Sequence, residues 1–275
     1  MNRIAAGYCT VANPRNPVQV SRVSLQPDDV DAIVFWTRFP RPLLPHLTEL
    51  DRRGYRYYVQ FTLVDYPRAI EPRVPAVQNA LATFLALAEH VGPERVIWRY
   101  DPIVLSPRTR TDWHLETYER LAHALRGATH QSVISLMDEY RKTRHRTQAL
   151  ARDGLPISGG FVERDPELAR MLRGMAQAAS ACGMEIVSCA EPEDLRPFGI
   201  EPGRCVDDRL IRRVFGIDVD ARKDPSQRAA CGCVVSKDIG AYNTCLFGCQ
   251  YCYATSNFTT ARGNYHRHDP GAPAL

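Results

Sequence analysis

The sequence predicts an α/β protein in which repeated strand–helix units build a parallel sheet over residues 1–190. An irregular, cysteine-rich segment over 191–275 packs on it. Three observations predict this. Short apolar, β-branched runs recur through the first part, each followed by a stretch of helical period. Beyond residue 190 the alternation fades into turns punctuated by Pro and Gly. Seven of the nine cysteines lie beyond residue 188.

Residues 8–12 and 18–24 are β-branched runs separated by Asn13-Pro14-Arg15-Asn16-Pro17, and predict a hairpin. Pro27-Asp28-Asp29 starts a helical turn. Strand candidates follow at 32–36, 57–63, 95–100, 132–137 and 185–189, each nearly continuous in apolar residues, as strands buried on both faces are. Helices fall between them at 42–53, 75–91, 111–126 and 164–182. The last shows its period in Leu168, Met171, Leu172, Met175, Ala179 and Cys182, with Gly183 as a stop. A short helix is expected at 206–214. Such units require right-handed crossovers, in a sheet either open and doubly wound or curled toward a barrel that five strands are too few to close. No G-x-G-x-x-G follows a strand, so dinucleotide binding has no support, and Gly159-Gly160 marks a loop.

The 275 residues carry 35 basic and 31 acidic side chains, a net charge of +4, and 44% hydrophobic residues. That composition fits a globular chain with a substantial core and gives no overall field for nucleic acid or an anionic membrane. No run reaches the roughly 18 apolar residues of a membrane span, and Met1–Tyr8 lacks a signal peptide's apolar core. A cytoplasmic protein with no membrane partner is expected. Its cysteines are then reduced, and their clustering reads as metal ligation rather than disulfides. Cys9 and Cys182 stand apart as buried small residues or surface thiols.

In open or closed parallel sheets ligands bind at the C-terminal strand ends. Those ends carry Trp36, Thr37 and Arg38; Gln60 and Thr62; Arg99 and Asp101; Ser135 and Asp138; Cys189 and Glu191. Gln60 and Arg99 interrupt apolar strands, and a buried guanidinium needs an anionic or carbonyl partner, for which Asp101 is placed. Gln60, Arg99 and Asp101 are therefore candidate catalytic residues, against the simpler reading of a structural Arg–Asp pair. The basic run 138–163 reads as a solvated face rather than a surface for an anionic substrate.

Cys245-Leu-Phe-Gly-Cys249-Gln-Tyr-Cys252 places three thiols where one loop can turn them toward a common centre. Iron–sulfur clusters and zinc both accept such ligands. Neither a fourth cysteine nor a histidine follows at zinc-finger spacing, which leaves an open coordination position. Upstream, Cys231-Gly-Cys233 is suited to share a metal, and Cys189 and Cys205 can complete a second site holding an auxiliary iron–sulfur cluster or zinc, the cluster being slightly favoured. His266 and His268 lie in an exposed polar tail and are not assigned.

Taken with Gln19–Leu25, Asp31–Thr37, Gln60-Phe61-Thr62, Gly92–Pro102, Cys189-Ala-Glu191, Gln227–Cys233 and Asp238–Ala254, the chain resembles a bacterial family catalogued as a domain of unknown function. Its members are similar to radical S-adenosylmethionine (radical SAM) proteins. The resemblance implies a partial, TIM-like (βα)6 barrel with the cluster motif near the C-terminus. It implies that Cys245, Cys249 and Cys252 hold a 4Fe–4S cluster with one iron left for SAM, and that Tyr251 packs beside it. It further implies a reductant such as flavodoxin or ferredoxin and a substrate that no residue identifies. The superfamily's glycine-rich SAM motif is not recognisable. Members of the family begin with a further strand and a Ser-Arg-Arg-Thr-Asp-like run, so a missing first strand is expected here. Two other functions stay open: an iron–sulfur electron-transfer protein without SAM, and a zinc-binding structural or nucleic-acid-binding protein. For the last, Asp238–Thr244 is neither basic nor strongly aromatic.

Overall fold

The structure is a computed structural model that describes residues 1–13, 16–162 and 165–274. A short helix α1 (Asn2–Ala6) precedes a two-stranded antiparallel ribbon of β1 (Tyr8–Asn13) and β2 (Asn16–Ser24). The hairpin is thus where the β-branched runs predict it; Pro14 and Arg15 of its turn lie outside the described residues. The main sheet then runs β3 (Ile33–Thr37), β4 (Tyr57–Thr62), β5 (Val96–Ile103), β6 (Gln131–Leu136), β7 (Glu185–Ser188) and β8 (Glu201–Pro202). Among the described residues these six strands are all parallel and lie in chain order. β8 is a sixth strand where the sequence pattern shows five. Two residues, one of them Pro, carry too little period to be read.

Helices α3 (Val77–Val91), α4 (Thr111–Ala124) and α6 (Pro166–Ala181) cross between strands near their expected places. The helix expected at 42–53 shrinks to α2 (Leu47–Arg52) behind a 3-10 turn at Leu44–His46, because Pro45 cannot donate a backbone hydrogen bond. Helix α5 (Arg144–Arg152) lies within the basic run, and α7 (Asp208–Phe215) matches the short helix expected at 206–214. Helix α8 (Phe258–Arg267) has no counterpart among the sequence expectations; Asn257 caps it by accepting from the amides of Thr259 and Thr260.

Period-two alternation gives the sheet two unlike faces. Val59 and Phe61, Trp98 and Tyr100, Ile134 and Ile186 point into one large core with the apolar stripes of α3, α4 and α6. The opposite face carries Tyr58, Ile97, Val133 and Val187, covered by Leu210 and Ile211 of α7. Two residues further along β4, β5, β6 and β7 that same face presents Gln60, Arg99, Ser135 and Cys189. The polar interruptions of the apolar strands are therefore neighbours across the sheet. Gly159 passes so close to Met137 that an added Cβ would lie 2.3 Å from its carbonyl oxygen, which explains a glycine in that loop.

In the main core Trp98 stacks on Tyr118 with ring centroids 4.7 Å apart and donates its indole N–H to Leu63 O. Beside them His114 is fully buried, its Nε2 3.0 Å from Val104 O and its Nδ1 2.9 Å from the Tyr100 hydroxyl. Burial holds its pKa down at about 4, against an ordinary 6.5. As pH falls through 6.5 the unfolded chain takes up this proton while the folded one does not until about 4. The stability His114 contributes is thus present above 6.5 and is lost between 6.5 and 4, to the extent of about 3 kcal/mol. His114→Gln can keep both hydrogen bonds without titrating, so urea unfolding at pH 7 and pH 4.5 should show a smaller acid loss in the variant. Equal losses in both proteins would show that other groups carry it.

Candidate metal centre

The C-terminal cysteines sit on a loop whose ends are tied together and whose backbone is held by arginines. At its base Asn243 N–H donates to Ala254 O at 2.8 Å, and the Asn243 side chain accepts from the amide and hydroxyl of Ser256. Asn243 adopts φ 55°, a left-handed conformation that asparagine tolerates. Gly248 has φ 77°, and a Cβ there would meet Arg73 Nη2 at 2.8 Å, so the turn between Cys245 and Cys249 needs glycine. Arg73 reaches this turn twice, through its amide to Phe247 O and through Nε to Leu246 O. From the other side Arg146 of α5 donates to the carbonyls of Gln250, Cys252, Thr255 and Ser256. The solvated face expected for residues 138–163 is wrong at this position, where a half-buried guanidinium satisfies backbone carbonyls that would otherwise lack partners.

Cys249 is buried and packs into the main core with Tyr251; Cys252 is half-buried and Cys245 exposed. Burial pushes the Cys249 thiol up to about 12, and Cys252 nearby adds to the rise. A thiol as deep as that of Cys249 stays protonated until a cation replaces the proton. Among the described residues no three His, Cys, Asp or Glu side chains surround a common point as a bound ion requires.

Beside Cys249 lies a buried polar triad that bears on the fit. Arg38, just past the C-terminal end of β3, pairs with Glu71 at 2.7 Å and donates to the Tyr251 hydroxyl at 2.6 Å, while that hydroxyl donates to Glu71. Burial raises the Glu71 carboxyl although Arg38 pulls it down, and it raises the Tyr251 phenol well above its ordinary value. Among the described residues Arg38 Nε is buried with no hydrogen-bond partner. The charge of Arg38 reaches Cys249, and a cation with an N–H left over suits an anionic thiolate-bound group, so the donor set of Cys245, Cys249 and Cys252 fits an iron–sulfur cluster in its chemistry. Tyr251 thus stands beside the motif with its hydroxyl committed to Arg38 and Glu71. Glu71 escaped the sequence reading, though a lone carboxylate between Ile70 and Pro72 was a signal.

Gln60, Arg99 and Asp101 come together as their face of the sheet requires. Arg99 is buried and pairs with Asp101 at 2.6 Å, and its Nη1 lies 3.3 Å from Gln60 Oε1 and 2.8 Å from Cys205 Sγ. Gln60 Nε2 and the Tyr58 hydroxyl both donate to Cys205 O. Asp101 accepts from the Ser135 hydroxyl. The carboxylate of Glu191, which accepts from Leu136 N–H, is raised by burial to about 7. Between Cys189 and Glu191, Ala190 is held at φ 54°, a strained conformation for a residue with a Cβ. Cys205, Cys231 and Cys233 share one buried cluster, with Cys189 half-buried against it. The Tyr253 phenol feels the charges of Asp101, Cys252 and Arg99. Cys9 and Cys182 are buried apart from both, and His266 and His268 are exposed. A cavity of about 420 Å³ lined by Leu105, Arg110, Ser158 and Glu167 includes none of these groups.

A family description, domain of unknown function DUF1848, matches residues 1–254. A crystal structure of the citrate synthase SbnG is similar over 65% of this chain and 77% of its own, with 12% identity and a TM-score of 0.28. No curated protein matches the chain.

Two substitutions test the loop and its support. Arg146→Ala removes four hydrogen bonds to the loop backbone, and amide hydrogen exchange over residues 243–256 should speed up by at least about tenfold while the strands stay protected; unchanged exchange would show the clamp to be idle. Arg38→Met leaves the Glu71 carboxylate buried without its cation and should destabilise the fold by about 3–5 kcal/mol in urea unfolding. Adding Glu71→Gln should recover part of that loss, and no recovery would show that Arg38 acts through packing instead.

Proposed function

The chain belongs to the DUF1848 family, and from that premise we propose that it is an iron–sulfur enzyme of the radical SAM type. The observation that carries the reading is the loop itself. Cys245, Cys249 and Cys252 are presented by a backbone clamped from two sides, beside a buried arginine with an uncommitted N–H. Sequential parallel strands with the polar patch at their C-terminal ends support a curled, barrel-like wall around a substrate site, which is the finer architecture we infer. The cysteines would hold a 4Fe–4S cluster, which when bound supplies the one-electron reduction that splits SAM into methionine and a deoxyadenosyl radical.

The protein's own residues position and shield. Arg73 and Arg146 fix the backbone between and around the cysteines, so the loop is held before anything binds and the thiols need only turn at their side chains. Tyr251, Tyr66 and the main core close the inner side of the loop against water, with the Tyr66 and Tyr251 rings 6.1 Å apart. Arg38 supplies positive charge beside Cys249. Trp36, half exposed on the same sheet face as Gln60 and Arg99, offers an aromatic surface to a planar ligand group. Asp101 and Glu191 provide carboxyls near Cys189 at the C-terminal ends of the strands. The electron would come from a reductant such as flavodoxin or ferredoxin.

Anaerobic purification followed by metal and sulfide analysis and an assay with SAM and dithionite tests the reading. The expected result is about four irons and four sulfides assigned to the loop, lost when Cys249→Ala is introduced, together with 5′-deoxyadenosine. A loop that holds zinc without sulfide would overturn it in favour of a structural metal. A cluster that never cleaves SAM would leave electron transfer as the function.

A further inference from the structure

We propose that Cys189, Cys205, Cys231 and Cys233 form a second metal centre, separate from the C-terminal loop, which takes a single tetrahedral thiophilic ion such as zinc. Three parts of the chain meet there: the end of β7, the turn after β8, and the segment 224–234. A backbone hydrogen bond binds the last to the second, Val234 N–H donating to Val206 O at 3.1 Å, and the last is closed on itself by Asp224 N–H donating to Cys233 O at 2.9 Å. Cys205, Cys231 and Cys233 are buried together with Ala190, Val206 and Val234, and Cys189 packs half-buried against them.

Donors are aimed at two of the sulfurs. Cys233 Sγ accepts from the amides of Cys205 and Val206 at 3.1 and 3.3 Å, and Cys205 Sγ accepts from Arg99 Nη1 at 2.8 Å. A buried guanidinium and two aimed amides at sulfur are the surroundings that a metal-bound thiolate requires and a neutral thiol does not. A set of four sulfurs selects zinc or iron–sulfur chemistry. A zinc–sulfur bond of about 2.3 Å puts tetrahedral sulfurs about 3.8 Å apart, and Cys189 Sγ and Cys205 Sγ, in contact at 3.2 Å, are spaced as two ligands of one ion rather than as ligands of separate irons. The proposal takes the single ion, where the sequence slightly favours the auxiliary cluster. Among the described residues no three metal-ligating side chains yet surround a common point, so closing the set asks for rotation of the cysteine side chains; the backbone has already brought the segments together. Arg99 then serves as a positioning residue, its charge balanced between Asp101 and the thiolates.

The proposal stands apart from the radical SAM reading, and its test removes that site. The full chain carrying Cys245→Ser, Cys249→Ser and Cys252→Ser, purified without chelator, should retain about one zinc per chain. Exchange with Co²⁺ should give the intense near-ultraviolet thiolate-to-cobalt absorption of a tetrahedral sulfur site. Adding Cys231→Ser and Cys233→Ser should lower the bound metal by about tenfold or more. No metal in the first variant, metal that survives the added substitutions, two or more irons with sulfide, or a Cys189–Cys205 disulfide in a non-reducing peptide map would each overturn it. If the second variant fails to fold by circular dichroism and gel filtration, the cobalt spectrum of the first decides, because its intensity reports the number of thiolates.

Discussion

A guanidinium buried in a sheet must be answered on every side, and Arg99 sets that condition for the polar face of this protein. Its charge is met by Asp101, its Nη1 by Gln60 and the sulfur of Cys205. Burial works against the charge, but Asp101 and the neighbouring sulfurs more than offset it, so the side chain stays ionised. Asp101 in turn is held by Ser135, and Cys205 by Gln60 and Tyr58. One charged residue thus fixes the contacts of β4, β5, β6 and the turn after β8, and through that turn it places the cysteines that follow.

The C-terminal loop obeys the same constraint with the signs reversed. There the groups that need partners are backbone carbonyls, and arginines from outside the loop provide them. Arg73 comes from the connection after β4 and Arg146 from α5, so the loop joins two parts of the α/β scaffold that do not otherwise adjoin in sequence. Cys249 and Tyr251 sink into the main core as a result. The loop belongs to the interior as much as to the surface.

What was legible follows from how strongly each feature marks the chain. β3 to β7 were visible because a strand buried on both faces must be apolar throughout, and Gln60 and Arg99 stood out against that background. Helix α6 was visible from its period. Strand β8 was not, being Glu-Pro, and α8 was hidden by a polar composition containing Gly263. Arg146 was misread because a cation within a basic run looks the same whether it meets water or four carbonyls; its partners lie about a hundred residues away. The joining of Cys189 and Cys205 with Cys231-Gly-Cys233 could be suspected from the C-x-C pair. The donors that make the site specific, two amides and Arg99, appear only once the turn after β8 is folded.

Arg73 and Arg146 grip the loop by its carbonyl oxygens, and a carbonyl is the same whatever residue bears it. Leu246 and Gln250 are held by their backbones. Inheritance can therefore rewrite the side chains between the cysteines without loosening the turn, provided the glycine at 248 and the two gripping arginines remain. The outer skin of the loop becomes a place where a lineage can change which molecules it meets while the thiols beneath keep their positions.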